Sequence, residues 1–105
     1  MGARPRFSLP EVLSVHKANL NLLPTLKVLL ETRNISRAAE LLHLSQPSIS
    51  KQLGQLRSEF GDELLVREGQ RWLLTPRAES LAAALADSLG ALERLYAAPE
   101  FAPER

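Results

Sequence analysis

From residue 36 the chain reads Ser-Arg-Ala-Ala-Glu-Leu-Leu-His-Leu-Ser-Gln-Pro-Ser-Ile-Ser-Lys-Gln-Leu. This order of small, apolar and polar positions predicts two short helices joined by a tight turn. Ala38 and Ala39 are small enough to let a second helix cross close by, and Leu41, Leu42 and Leu44 are expected to close the apolar side. Ser45 suits an N-cap, its side-chain oxygen accepting a free backbone N–H, and Pro47 falls in the first turn, where no internal hydrogen bond is lost. A second helix therefore starts at about Gln46. Ile49, Leu53, Leu56 and Phe60 recur at i, i+4, i+7 and i+11 and mark its buried stripe. Pro47, Ser50, Lys51, Gly54 and Ser58 fall on the other side. The layout is that of a helix-turn-helix, a motif whose second helix enters the DNA major groove by its N-terminal end.

The flanking pattern extends this unit. Residues 1–18 mix Gly, Pro and scattered apolar groups, and they read as a poorly ordered arm with at most a short helical turn near Glu11 to Val15. From Asn19 the leucines at 20, 23, 26, 29 and 30 recur at helical spacing, with Pro24 tolerable in the first turn and an end near Thr32. Asn34 or Ser36 can cap the next helix, which runs to about Leu42. After Phe60, Gly61 suits a left-handed helix end. Leu64-Leu65-Val66 and Trp72-Leu73-Leu74 flank the turn Glu68-Gly69-Gln70-Arg71, which is a hairpin signal. Behind a helix-turn-helix, such a hairpin is a wing. Thr75 as N-cap and Pro76 at the first helical position open a last helix to about Ala97, with Leu81, Leu85, Leu89, Leu92 and Tyr96 on one side.

The expected fold is mainly α: a winged helix-turn-helix over 19–75, with its helix-turn-helix at 35–54, and a long linker helix over 76–97. About 22 residues make a rod of roughly 33 Å. That is too long to bury its whole stripe on some sixty residues, so part of it is expected to pack on a second copy. Residues 98–105 read as a hinge.

Composition narrows the function. The 105 residues are 45% hydrophobic and contain no cysteine, which suits one small core in a reducing cytoplasm and excludes disulfides and thiolate metal sites. No apolar run is long enough to span a membrane, and the first 18 residues lack the apolar run of a signal peptide. The net charge of +1 is unevenly divided. Residues 1–77 hold 11 lysines and arginines against seven acids, whereas residues 79–105 hold two against five. The positive field therefore lies on the helix-turn-helix, as attraction to phosphate requires, although an excess of four charges carries little weight alone.

From about Asn19 to Ala97 the chain resembles the N-terminal part of LysR-type bacterial transcriptional regulators. The resemblance rests on Leu20-Asn21-Leu22-Leu23, Ser36 with Ala38-Ala39, Leu42, Ser45-Gln46-Pro47 with Ser50, Leu56, Gly61, Leu64, Arg67 and Leu74-Thr75-Pro76. Several stretches, among them Leu56-Arg57, Gly61-Asp62 and Thr75 to Glu79, look most like the branch with nodulation and aromatic-degradation regulators. Departures are Leu65 where an aromatic is usual, Arg57 where Glu is common and Ala78 where Gly is common. The first is a core substitution and the others touch helix surfaces. The family continues into an effector-binding domain absent from this chain, so an excised DNA-binding fragment is expected rather than a naturally short protein.

The resemblance implies which residues meet DNA. Gln46 can offer its amide to a base edge, the pairing typical of adenine, and Pro47 can pack on a thymine methyl. Ser50 and Lys51 lie one turn on, and Lys51 could reach a guanine or a phosphate. Ser36, Ser45 and Ser48 suit phosphate. Gly54 on the outer face fits close approach of the DNA backbone or simple drift. Arg71 at the wing tip is directed toward the minor groove in the family, against the alternative of a solvated turn arginine. Arg33, Arg37 and Arg67 are possible phosphate contacts, with a nearby carboxylate the preferred partner of Arg67. Trp72 is read as core or dimer packing.

Two other function classes compete. No nucleophile–base–orienter set and no paired metal ligands accompany His16 and His43, so neither an enzyme nor a cofactor is expected. A protein-interaction module reusing this shape would put acidic or bulky apolar groups on the exposed recognition face, which instead offers Gln46, Ser50, Lys51 and Gly54. The resemblance further implies a homodimer through Leu81, Leu85, Leu89, Leu92 and Tyr96, an imperfect inverted repeat as its double-stranded DNA target, a tetramer in the full-length protein, and a small-molecule effector bound only by the absent domain.

Overall fold

The computed structural model describes residues 6–98. Residues 1–5 of the expected arm and 99–105 of the expected hinge lie outside them. Within them, helix α1 (Leu9–Lys17) and a single 3₁₀ turn (Leu20–Leu22) lead into α2 (Leu23–Thr32), α3 (Ile35–Leu42) and α4 (Gln46–Phe60). Strands β1 (Leu65–Glu68) and β2 (Arg71–Leu74) follow, and α5 (Pro76–Tyr96) comes last. The described chain is thus a winged helix-turn-helix with a long final helix.

Local capping chemistry explains most of these boundaries. The side chains of Asn34, Ser45 and Thr75 accept the backbone N–H groups of Arg37, Ser48 and Ala78, each satisfying one donor that a helix start leaves without an internal partner. Gly61 closes α4 in the left-handed conformation at φ 61°, where glycine meets no Cβ penalty. The N-terminal segment departs from expectation. Instead of a single turn it forms nine helical residues, because Ser8 caps the Glu11 N–H and Pro10 falls in the first turn rather than breaking the helix. None of its residues is buried.

Helix α2 is the centre of the core and packs against α3, α4 and α5. It contributes Leu26, Leu29 and Leu30, against which Ala38 and Ala39 of α3, Ile49, Leu53 and Leu56 of α4, and Leu64, Leu65, Ala78 and Leu85 are buried. The fully buried Ala38 permits the close crossing of the helix pair. Leu41 and Leu44 do not close that pair, being 47% and 41% exposed. Leu41 is rotated off the Ala38–Leu42 face, and Leu44 follows the left-handed end of α3 at His43. Leu42 alone of the three packs against the core.

The apolar stripe of α5 divides. Leu85 is only 5% exposed within the chain itself, with Leu81 and Leu89 packed against the same core. Leu85, expected on the dimer side, is thus taken up by the chain's own core. Farther along, Leu92 is half-buried, while Leu95 and Tyr96 are 75% and 88% exposed.

The hairpin is antiparallel, pairing Leu65 with Leu74, Val66 with Leu73, Arg67 with Trp72 and Glu68 with Arg71. Gly69 and Gln70 form the two-residue tip, Gly69 at φ 67°, as tight hairpin turns require. Leu64 enters the hairpin at φ 66° although it is fully buried, a conformation uncommon for a bulky residue. Its N–H donates to Asp62 Oδ2 at 2.8 Å, and its carbonyl accepts the Thr75 N–H at 3.0 Å. Arg57 reinforces the same corner by donating from Nε to the Glu63 carbonyl at 2.7 Å and from Nη2 to the Leu65 carbonyl at 2.8 Å. An arginine on this helix surface is thus a clamp on the root of the wing.

Candidate nucleic-acid interface

Burying Ile49, Leu53 and Leu56 turns the other side of α4 outward, and Gln46, Pro47, Ser50, Lys51 and Gly54 are all exposed there. The stripe fixes this orientation, since rotating the helix would drive polar groups into the leucine core. A partly buried polar pair adds to it. Thr25 of α2, 4% exposed, donates its hydroxyl to Gln52 Oε1 at 2.5 Å. No sequence signal marks that link between the central helix and the recognition helix, because nothing local relates residues 25 and 52.

The exposed start of α4 borders a polar cleft of about 320 Å³ lined by Asn34, Ile35, Ser36, Gln46, Ser50, Arg67, Gln70 and Trp72. The fold thus brings Ser36, Gln46, Ser50 and Arg67 together from α3, α4 and the wing. A second, more open hollow lies at the opposite end of α4 around Arg57, Ser58, Gly61, Asp62 and Glu63. Its charged groups are committed to one another and to the backbone, with Arg57 Nε 3.5 Å from the Glu63 carboxylate and Asp62 bound to Leu64 and Thr75. The cleft between the helices and the wing is the better candidate site.

Arg67 differs from expectation. It meets the indole of Trp72 across the hairpin, 5.3 Å from the ring centroid, and donates from Nε to the Gly69 carbonyl at 3.2 Å. Among the described residues no carboxylate pairs with it, and cross-strand pairing sets Trp72 opposite it. Trp72 in turn packs against the core with part of its surface, so the cation rests on a fixed aromatic face.

The remaining predicted residues are distributed around the cleft. Ser45 caps α4 and donates its hydroxyl to Ser48 Oγ at 2.9 Å, so both serines have local hydrogen-bonding roles. Arg37 pairs with Glu40 at 3.0 Å on the outside of α3. Arg33 is exposed at the left-handed end of α2. Arg71 is exposed beside the wing tip, with Glu68 as its cross-strand neighbour. A Cβ added to Gly54 would meet nothing within 4 Å. Glycine at this position is therefore not demanded by the fold.

Residues 20–79 match the family described as bacterial regulatory helix-turn-helix protein, lysR family. Nodulation protein D 1 of Bradyrhizobium sp. (strain NC92) is 46% identical over 71 residues, which cover 68% of this chain and 23% of that protein. A probable transcriptional regulator from Pseudomonas aeruginosa superposes with a TM-score of 0.72 at 41% identity, covering 78% of this chain and 28% of that one. Vibrio fischeri DarR, solved in complex with DNA, superposes with a TM-score of 0.67 at 27% identity, covering 74% and 27% of the two chains. The chain spans about a quarter of the length of the curated relatives it matches. On the match through the helix-turn-helix and wing, the chain belongs to the lysR family of bacterial regulatory helix-turn-helix proteins.

Proposed function

We propose that this chain is the DNA-binding part of a bacterial transcriptional regulator and that it reads double-stranded DNA in sequence-specific fashion. The observation that carries this reading is the outward polar start of α4, where Gln46, Pro47, Ser50 and Lys51 are exposed together. Gln46 and Lys51 are side chains able to hydrogen-bond adenine and guanine edges in a major groove, and Pro47 can pack on a thymine methyl. Ser36, Ser45 and Ser48 lie toward the flanking phosphates, and Arg71 extends the wing toward the neighbouring minor groove. These roles involve binding rather than catalysis. A cytoplasmic setting is consistent with them, and no described helix is long and apolar enough to cross a membrane.

Two copies join through the outer part of α5, where Leu92, Leu95 and Tyr96 remain available, and present two α4 helices to an imperfect inverted repeat. Leu81 and Leu89 contribute from the edge of the core. In the whole protein an effector domain carries the small-molecule response, and dimers pair into tetramers. Footprinting on the DNA upstream of the gene tests the dimer geometry. Two protected patches separated by about 34–36 Å, one helical turn, or by a multiple of it, are expected. A single protected half-site would exclude a symmetric dimer.

A further inference from the structure

Beyond base reading by α4, and resting on the DNA-binding reading above, we propose that the cleft between α3, α4 and the wing seats one backbone phosphodiester. Arg67 is its cation and Trp72 the residue that positions that cation. A recognition helix in the major groove and a wing reaching the adjacent minor groove must have a sugar-phosphate ridge between them. The cleft lies in that interval, with α3 and α4 on one side and the hairpin on the other.

Its chemistry suits a singly charged anion. No carboxylate is among its lining residues. Ser36 and Ser50 bring hydroxyls, and Gln46 and Gln70 bring amides. The Nε of Arg67 is bound to the Gly69 carbonyl and its guanidinium carbon lies 5.3 Å from the Trp72 centroid, two contacts that restrain the guanidinium. The terminal Nη groups then remain for two phosphate oxygens, the bidentate geometry that arginine favours. Trp72 forms one wall of the cleft, and its part in phosphate binding is to position Arg67.

The test measures DNA affinity of the full chain across a salt series for wild type, Arg67→Gln, Trp72→Leu and the double variant, with thermal melting confirming that each is folded. Losing one phosphate contact lowers the slope of log affinity against log salt by about 0.9. Between 50 and 200 mM salt, Arg67→Gln should therefore lose about 3.5-fold less affinity than wild type loses. It should weaken native and scrambled duplexes by the same factor. Trp72→Leu should weaken binding less, and should add nothing once Arg67 is gone. Arg67→Lys should restore the slope, while the loss caused by Trp72→Leu should shrink in that background. Wild-type binding with an unchanged slope in Arg67→Gln overturns the phosphate seat and leaves the DNA reading intact. Additive losses from Arg67→Gln and Trp72→Leu overturn the positioning role. Failure of the folded wild type to bind any duplex removes the DNA reading and this seat together.

Discussion

The carboxylate of Asp62 accepts a 2.6 Å hydrogen bond from the hydroxyl of Thr75, and that hydroxyl oxygen in turn accepts the Ala78 N–H at 3.0 Å. Asp62 lies just past the end of α4, and Thr75 caps α5. The pair therefore fixes the angle at which the long helix leaves the recognition helix and closes the base of the wing through Leu64. Both α4 and α5 take their direction from this corner, so its rigidity bears on how two recognition helices would be spaced.

The corner carries a pH dependence. The Thr75 hydroxyl first, then the Leu64 N–H and the charge of Arg77, hold the Asp62 carboxyl below its ordinary value against the opposing effect of burial. A depressed folded-state pKa contributes stability that is fully present above the unfolded value and is lost as the pH falls through the folded one. Urea unfolding should show Asp62→Asn less stable than wild type at about pH 7, with the gap closing as the pH falls through the lowered folded-state value. A gap that keeps its size as the pH falls would contradict the assignment.

Gly54→Ala separates fold from function. With open space around the added methyl, helix propensity should raise stability by up to about 1 kcal/mol. If DNA approaches the helix closely here, affinity should fall as stability rises. Calorimetric melting and a binding titration on the same sample read both, and unchanged affinity would assign the glycine to drift.

Positions on α5 should respond in two ways. Leu85→Ala removes a core side chain and should cost about 2–5 kcal/mol of folding stability. Tyr96→Glu alters a fully solvated position and should leave the monomer's unfolding within about 0.5 kcal/mol of wild type while weakening self-association. Sedimentation velocity beside urea melts distinguishes them. A dimer unaffected by Tyr96→Glu combined with Leu95→Glu would place the interface elsewhere.

Lys51→Ala should weaken a specific site by about 1–3 kcal/mol while changing affinity for scrambled DNA less, if the ammonium reads a guanine. Equal losses on both duplexes would assign Lys51 to phosphate.

The parts of this architecture governed by neighbours in the chain were readable from sequence. Ser45 with Pro47, Thr75 with Pro76, and Gly61 each mark a helix end through interactions spanning a few residues, and the helices begin or end there. The recognition stripe was readable because Ile49, Leu53 and Leu56 repeat at the helical period. What escaped depends on partners distant in sequence or on competing local signals. Leu85 reads as dimer-facing because no local signal shows that the core covers it. The Thr25–Gln52 bond and the left-handed Leu64 arise from tertiary packing. Pro10 carried two opposite local meanings, breaker or first-turn residue, and Ser8 decides between them. For Arg67 the sequence offers a phosphate or a nearby carboxylate, and the indole across the hairpin comes into view only with the strand register.

Fluorescence anisotropy of a labelled duplex from upstream of the gene, titrated with this chain against scrambled competitor over a range of salt, measures DNA recognition itself. Tighter binding to the native duplex, weakening steeply as salt rises, is the expected result. A folded chain that binds neither duplex at low salt would contradict a DNA-reading role and turn attention to a protein partner for the exposed face of α4.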